Sequence, residues 1–217
     1  MICVAISDKN VDRCLAILDI VEMAEIRLDL TGFNQAEIKK VFSHPTPTIA
    51  TFRPANSGTQ EQLQKLTNAI ESGAHYVDIE IEASPEQQQA IITIARKHKC
   101  KVIISYHNFQ ETPDLIKLNS MVDDCYNCGA DIAKIATLTH SVSDSSKILS
   151  LYSSKRPLVA IGMGDAGKVT RIIAPLLGAE FTFASMDGFE TTAPGQISYS
   201  RMKSILSNLE KEMKNEH

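Results

Sequence analysis

The chain lacks an excess of basic charge, a long apolar run and an even complement of cysteines. Lysine and arginine number 22 against 26 aspartates and glutamates, a net charge of −4, which excludes a strongly basic nucleic-acid binder. No apolar stretch approaches the length of about 20 residues that a membrane-spanning helix needs. The opening "MICVAISDKN" has neither a basic n-region nor a long apolar h-region, so no signal peptide is expected. Five cysteines are an odd count and argue for reduced thiols rather than a disulfide framework. One pair, Cys125 and Cys128 in "CYNC", has CxxC spacing. A zinc site needs a second pair or nearby histidines, and a thioredoxin-type site needs a helix start, whereas this pair sits before "GAD" at a helix end. Structural thiols are the expectation. No Pro/Ser/Gly-rich linker or break in composition divides the chain, so residues 1–217 read as one domain.

What is present is regular alternation. Hydrophobic residues make up 43% of the chain and charged residues 22%, the balance of a soluble globular protein. Eight β-rich runs recur: "ICVAIS", "AEIRLD", "TIATF", "YVDIEI", "KVIISYH", "DIAKIAT", "LVAIG" and "FTFAS". Between them lie segments of helical period such as "EQLQKLTNAIESG" and "PEQQQAIITIARKHK", the latter entered through Ser84-Pro85-Glu86. A last helix is expected from about Gln196, ending in the polar tail "LEKEMKNEH". About 25 residues per unit, repeated eight times, predict a parallel sheet closed into a (β/α)8 TIM barrel. A doubly wound open sheet is the alternative arrangement of the same elements.

Parallel strands buried on both faces should be almost wholly apolar. Four of these strands are not. Glu25, Arg27 and Asp29 fall at period two in "EIRLD", as do Asp78, Glu80 and Glu82 in "DIEIE"; "ISYHN" ends with His107, and "DIAKIAT" carries Lys134. Charged side chains directed inward near the C-terminal ends of barrel strands describe an active site. An amine among Ile132, Ile135 and Ala136 loses solvation, which favours its neutral form, and a neutral amine condenses with a ketone or aldehyde to a Schiff base. The iminium acidifies the neighbouring carbon, and His107 is a suitable base of near-neutral pKa. Arg27, Arg53 and Arg171 lie at or just after strand ends and supply forks that match carboxylates, so the set suits a small keto acid. A metal bound by Asp78, Glu80 and a histidine would lack any recognised ligand motif. "GMGDAG" reads as GxGxxG at Gly162, Gly164 and Gly167, and "GMGDAGKV" nearly matches a P-loop, but Val169 replaces the hydroxyl residue that holds magnesium. A dinucleotide fingerprint belongs to the first βα unit, whereas this one follows the seventh strand. The plainer account is a flexible loop that shapes a ligand site and presents Arg171.

Taken in order, "EIRLD", "TFRP", "VDIEI", "SYHNFQETP", "GADIAKIA", "GKVTRI" and "APGQIS" resemble the type I 3-dehydroquinate dehydratases of the shikimate pathway, which are (β/α)8 barrels. The resemblance covers nearly the whole chain. It implies a cytoplasmic lyase of aromatic amino-acid biosynthesis that dehydrates 3-dehydroquinate to 3-dehydroshikimate, with no metal and no organic cofactor. Its partner would be that small molecule, not nucleic acid or membrane, and a homodimer is compatible with it. Lys134 matches the imine-forming lysine, and His107 the acid and base. Glu25, Arg27 and Arg53 match substrate-binding positions, Arg171 the carboxylate clamp, and Gln196 the closing loop.

Three departures from the pattern stand out. Thr192 replaces a serine just before "APGQ", keeping the hydroxyl. Ser57 stands near the place of a glutamate that orients the histidine, leaving Glu80 as the substitute. The N-terminal hairpin that plugs the barrel bottom in many relatives is lacking, so the floor must close otherwise. A class I Schiff-base aldolase and a non-catalytic barrel that binds a shikimate-pathway intermediate are the alternatives; the arginines and the "APGQ" loop disfavour the first, retention of Lys134 with His107 the second.

Overall fold

Strand and helix alternate as the hydrophobic pattern requires. A computed structural model describes residues 1–53, 60–189 and 191–215. The order is β1 (Ile2–Ile6), α1 (Val11–Leu18), β2 (Met23–Arg27), α2 (Leu28–Thr31), α3 (Gln35–Phe42), β3 (Thr48–Thr51), α4 (Gln60–Glu71), β4 (Tyr76–Glu80), α5 (Pro85–Lys97) and β5 (Lys101–Asn108). There follow α6 (Leu115–Asn127), β6 (Ile132–Leu138), α7 (Val142–Ser150), β7 (Leu158–Met163), α8 (Lys168–Ile173), β8 (Thr182–Ser185) and α9 (Tyr199–Asn215). All strand pairs are parallel and run in chain order from β1 to β7, while β8 pairs with β1 through Ile2 and Thr182. The seam of this nearly closed barrel lies between β7 and β8, bridged at its lower end where Glu180 N–H donates to Leu158 O at 3.1 Å.

The helices start where side chains can satisfy free amides. Ser84 caps α5, with Pro85 in its first turn, and Asn34–Glu37 and Ser141–Asp144 form capping boxes on α3 and α7. Each helix spends its apolar stripe on the sheet. In α6, Leu118, Met121, Val122 and Cys125 are buried at helical spacing, so one cysteine of "CYNC" is core packing and the other, Cys128, is the helix C-cap. All five cysteines are free thiols. No described helix is long and apolar enough to cross a membrane.

Period two divides each strand between two environments. Val4, Ile26, Ala50, Val77, Ile79, Ile104 and Ile135 belong to the outer core between sheet and helices. Cys3, Met23, Ile49, Ile103, Ile132, Val159 and Phe181 form a separate inner cluster, with half-buried Tyr76 packed against it. This cluster closes the floor of the barrel. Tyr76 meets Phe181 edge-on at 6.1 Å, and the Lys101 ammonium lies 5.9 Å from the Tyr76 ring centroid. Two steps further along the same strands, the inward positions turn polar: Glu25, Thr51, Asp78, Ser105 and Lys134 are all buried.

Three boundaries differ from the sequence reading. β2 stops at Arg27 and β4 at Glu80, so Asp29 lies in α2 and Glu82 in the following turn, outside the period-two rows. The last helix begins at Tyr199 rather than near Gln196. The preceding residues first pair with the end of β8, where Ser185 N–H donates to Ile197 O at 3.0 Å and Ser185 bridges Ser198.

Phe181 is 1% exposed and central to the floor. Phe181→Ala is expected to cost about 3–5 kcal/mol by leaving a cavity there. Urea unfolding should show the midpoint falling with an unchanged m-value; a loss under about 1 kcal/mol would mean that the floor is not closed by this ring.

Candidate active site

Above the polar layer, the barrel opens into a cavity of about 400 Å³. Its walls include all eight positions singled out in the sequence: Glu25, Arg27, Arg53, His107, Lys134, Arg171, Thr192 and Gln196. They arrive from β2, the ends of β3 and β5, β6, α8 and the loop after β8, so barrel closure brings together residues far apart in the chain.

Lys134 sits at the bottom. The residue is 5% exposed, yet its immediate neighbours are not the hydrocarbon that the sequence indicated. The ammonium donates to Asp78 Oδ2 at 2.8 Å and Glu25 Oε1 at 3.4 Å, and lies 4.6 Å from the Phe183 ring centroid. Ile132, Ile135 and Ala136 are buried beside it in the strand, but alternate strand positions point Ile135 to the outer core. Asp78 is fully buried and completely engaged. Besides Lys134, its other oxygen accepts from Arg53 Nη2 at 2.6 Å and from Ser105 Oγ at 2.6 Å. Burial alone would raise the Asp78 pKa; the Arg53 and Lys134 cations outweigh it and hold the carboxyl well below the ordinary range. Thr51 Oγ1 in turn donates to Glu25 Oε1 at 2.9 Å.

His107 stands one inward step above Ser105 on β5, and β5 pairs with the Lys134 strand through Ser105 opposite Lys134 and His107 opposite Ala136. Nδ1 is buried without a hydrogen bond of normal geometry; its nearest acceptor is Glu80 Oε1 at 3.5 Å. The Phe109 ring lies nearly parallel to the imidazole, tilted by 10° with centroids 6.0 Å apart. Burial is the main influence lowering the imidazole pKa, the contact with Glu80 opposes it, and Arg53 and Lys134 add to the lowering. Glu80 is held down mainly by the same contact with His107.

The arginines have unequal partners. Arg27 is tied in a fork to Asp29, at 3.0 and 2.6 Å, and Arg53 is shared by Asp78 and Glu80. Arg171 is 2% exposed and has no carboxylate partner among the described residues. Among those residues it reaches two backbone carbonyls, Phe183 O at 3.5 Å and Pro194 O at 3.4 Å, and its Nε has no partner. Burial lowers its pKa to about 10. Thr192 and Gln196 close a small ring over the cavity edge: Gln196 Oε1 accepts from Thr192 N–H at 2.9 Å while Gln196 Nε2 donates to Thr192 Oγ1 at 3.0 Å.

A buried amine, an imidazole and an isolated guanidinium thus converge on one cavity. The family model for type I 3-dehydroquinase matches residues 2–213. The chain belongs to that family. A 3-dehydroquinate dehydratase of Methanococcus maripaludis strain C6 is 36% identical, with 97% of this chain and all of that protein covered. A type I 3-dehydroquinate dehydratase of Clostridium difficile, solved with covalently modified comenic acid, has a TM-score of 0.83 at 26% identity, covering 97% of this chain and 92% of that one. The 3-dehydroquinate dehydratase structure from Aquifex aeolicus gives 0.81 at 25% identity over 96% of this chain and 98% of that one.

Against this type I 3-dehydroquinase frame, the sequence overlooked part of the constellation. Asp78 was noticed only as a strand carboxylate and a metal candidate, yet it is the hub between Lys134, Arg53 and Ser105. Its period-two placement below Glu80 was the available signal. Among the described residues, no group of three or more His, Cys, Asp or Glu could hold a metal ion. Ser105 and Thr51 carried no signal, being ordinary strand residues. Ser57 lies outside the described residues. The "GMGDAG" turn is tightly packed rather than flexible: a Cβ on Gly167 would fall 2.3 Å from Gly162 C, and Thr170 Oγ1 links the two by accepting from Gly162 N–H at 2.8 Å and donating to Gly167 O at 2.6 Å.

Asp78→Asn leaves Arg53 and Lys134 undercompensated inside the barrel, so a loss of about 3–5 kcal/mol is expected at neutral pH. A depressed carboxyl stabilises the fold above its unfolded pKa, about 3.9, and that contribution is lost as pH falls toward the folded pKa. The gap between wild type and variant in urea unfolding should therefore narrow by about 1 kcal/mol between pH 6 and pH 3. A gap independent of pH would make the loss one of packing alone.

Proposed function

We propose that the protein is a type I 3-dehydroquinate dehydratase that works through a Schiff base on Lys134, acting on a small molecule in the cytoplasm. The observation that carries this reading is a 5% exposed amine sharing one cavity with an imidazole from the adjacent strand and a guanidinium that lacks an acidic partner among the described residues.

The chemistry follows from the placement. The Lys134 ammonium gives up a proton, and the free amine adds to the C3 carbonyl of 3-dehydroquinate. Loss of water leaves an iminium. That cation occupies the place of the ammonium, so Asp78 and Glu25 already surround the charge that forms, with no reorganisation at the moment of reaction. The iminium draws electrons from C2, whose proton passes to His107 with formation of an enamine. The enamine then expels the C1 hydroxyl as water, using the proton His107 has just taken up. Hydrolysis of the conjugated iminium releases 3-dehydroshikimate and restores the amine; the net change is the loss of one water. Arg171 holds the C1 carboxylate. Its guanidinium is desolvated and has no acidic partner among the described residues, so an incoming carboxylate meets an unmet hydrogen-bonding need. Glu25, Arg27, Arg53, Thr192 and Gln196 contact the ring hydroxyls and fix the ring for attack.

Borohydride tests the covalent step. Incubation with 3-dehydroquinate and reduction should leave one adduct, on Lys134, found by peptide mass mapping. An adduct formed only with aldol substrates would favour an aldolase, and tight binding without any adduct would favour a silent binding barrel.

Glu80, whose Oε1 lies 3.5 Å from Nδ1, is the carboxylate that supports His107. Because its contact raises the imidazole pKa against the lowering by burial, Glu80→Gln should lower that pKa further. The base form of His107 removes the C2 proton, so the acid limb of the kcat profile should move to lower pH, with kcat down by about tenfold or more from poorer ring alignment. An unmoved limb would separate Glu80 from the histidine.

A further inference from the structure

The glycine turn left over from the fingerprint reading has a second contact, far along the chain. Gly195, in the loop after β8, has φ of +75°, and a Cβ there would lie 2.3 Å from Gly164 O and 2.8 Å from Gly164 C. The two backbones are in van der Waals contact with no room for a side chain. The contact is closed by a hydrogen bond, Gly164 N–H donating to Pro194 O at 3.3 Å. The same Pro194 carbonyl accepts from Arg171 Nη2 at 3.4 Å. It is thus one of only two acceptors for a buried guanidinium that has no carboxylate partner among the described residues. The other, Phe183 O, is fixed in β8, whereas Pro194 belongs to the loop that carries Thr192 and Gln196.

We propose that Gly195 is a positioning residue. By lacking a side chain, it lets the 192–196 loop rest on Gly164, and this seat sets the Pro194 carbonyl that aims Arg171 into the cavity. The inference rests on the proposed role of Arg171 toward the substrate carboxylate and adds what orients it. It also gives the "GMGDAG" turn a use that needs no nucleotide: Gly162 and Gly167 pack on each other, and the Gly164 backbone, whose own Cβ position faces Leu138 and Thr139, meets the loop. A side chain at 195 would have to lift the loop off the turn, carrying the Pro194 carbonyl away from the guanidinium. Arg171 would then have only Phe183 O to orient it and would be free to turn from the carboxylate position.

The internal control is Gly188. It lies in the same connection, has φ of +78°, and among the described residues has nothing within 4 Å of its would-be Cβ. Gly188→Ala therefore imposes the same left-handed strain without the collision, so a comparison with Gly195→Ala isolates the seat. Three readouts separate positioning from general damage. In the absence of substrate, amide exchange at Gly164 should accelerate by about tenfold or more in Gly195→Ala and stay near wild type in Gly188→Ala. With 3-dehydroquinate, Gly195→Ala should raise KM by about tenfold while kcat stays within about threefold, the pattern of binding lost equally from ground and transition states. The preference for quinate over its carboxamide as competitive inhibitor, which reads the carboxylate contact, should fall by a similar factor in Gly195→Ala only. Equal behaviour of the two variants in exchange and KM would overturn the proposal, as would a raised KM with the acid-over-amide preference intact. Failure of wild-type protein to turn over 3-dehydroquinate would sink the substrate reading alone; the exchange comparison would still decide the seat.

Discussion

The buried pair between Lys134 and Asp78 is the contact around which the interior of this barrel is organised. An ammonium removed from water costs several kcal/mol unless it is paired and hydrogen-bonded. Here one carboxylate, itself fully buried, answers both Lys134 at 2.8 Å and Arg53 at 2.6 Å, with Ser105 as a third donor. Each member depends on the others: without Asp78 the two cations keep only the longer contacts to Glu25 at 3.4 Å and Glu80 at 3.6 Å, and without the cations Asp78 would not be ionised at this depth. The arrangement gives Lys134 one position and one direction. The amine proposed to form the Schiff base needs that more than it needs an apolar wall.

This cluster can exist because the barrel separates its inward rows by height. The lowest row is filled by Met23, Ile49, Ile103, Ile132 and Phe181, which close the floor and keep bulk water from reaching the charges from below. The next row holds the charges, and the row above opens to the cavity. The same alternation sends Ile26, Val77, Ile79 and Ile135 outward to the helices, so a polar interior costs the outer core nothing. Stability and chemistry are assigned to opposite faces of the same strands.

Much of this was legible in the residues, and the limits are physical. All eight strands could be read. Glu25, Arg27, His107 and Lys134 stood out because a charge in a doubly buried strand violates a strong rule and period two says which way it points. Arg53 and Arg171 were legible only as forks at strand ends, and Thr192 and Gln196 only through the family resemblance. What could not be read was who answers whom. "DIAKIAT" shows three apolar neighbours for Lys134 in the chain, but its partners come from β4 and β2, 56 and 109 residues away. Ser105 and Thr51 are common strand residues, unmarked until the opposite strand is known. The loop between β8 and α9 misled for another reason: "APGQIS" leads smoothly into a helical pattern, yet its backbone first bonds to Ser185, which delays the helix to Tyr199.

The unequal pairing of the cations fixes the direction in which a ligand can lie. Arg27, Arg53 and Lys134 are each met by acids of the protein itself, so an anionic group placed beside them would compete with Asp29, Asp78, Glu80 or Glu25. Among the described residues Arg171 offers no such competition: its acceptors there are carbonyls at 3.4 and 3.5 Å, weak partners for a charged fork. A hydroxy-keto acid therefore gains most by setting its carboxylate against Arg171, on the β7–β8 side, and its ketone toward Lys134 on β6. Reversing it would bring a carboxylate to Glu25 and Asp78 and leave the buried guanidinium unmet, two penalties that add. On the proposed reading the barrel selects orientation through one arginine that has no counter-ion among the described residues, and the loop proposed to aim that arginine belongs to the same selection.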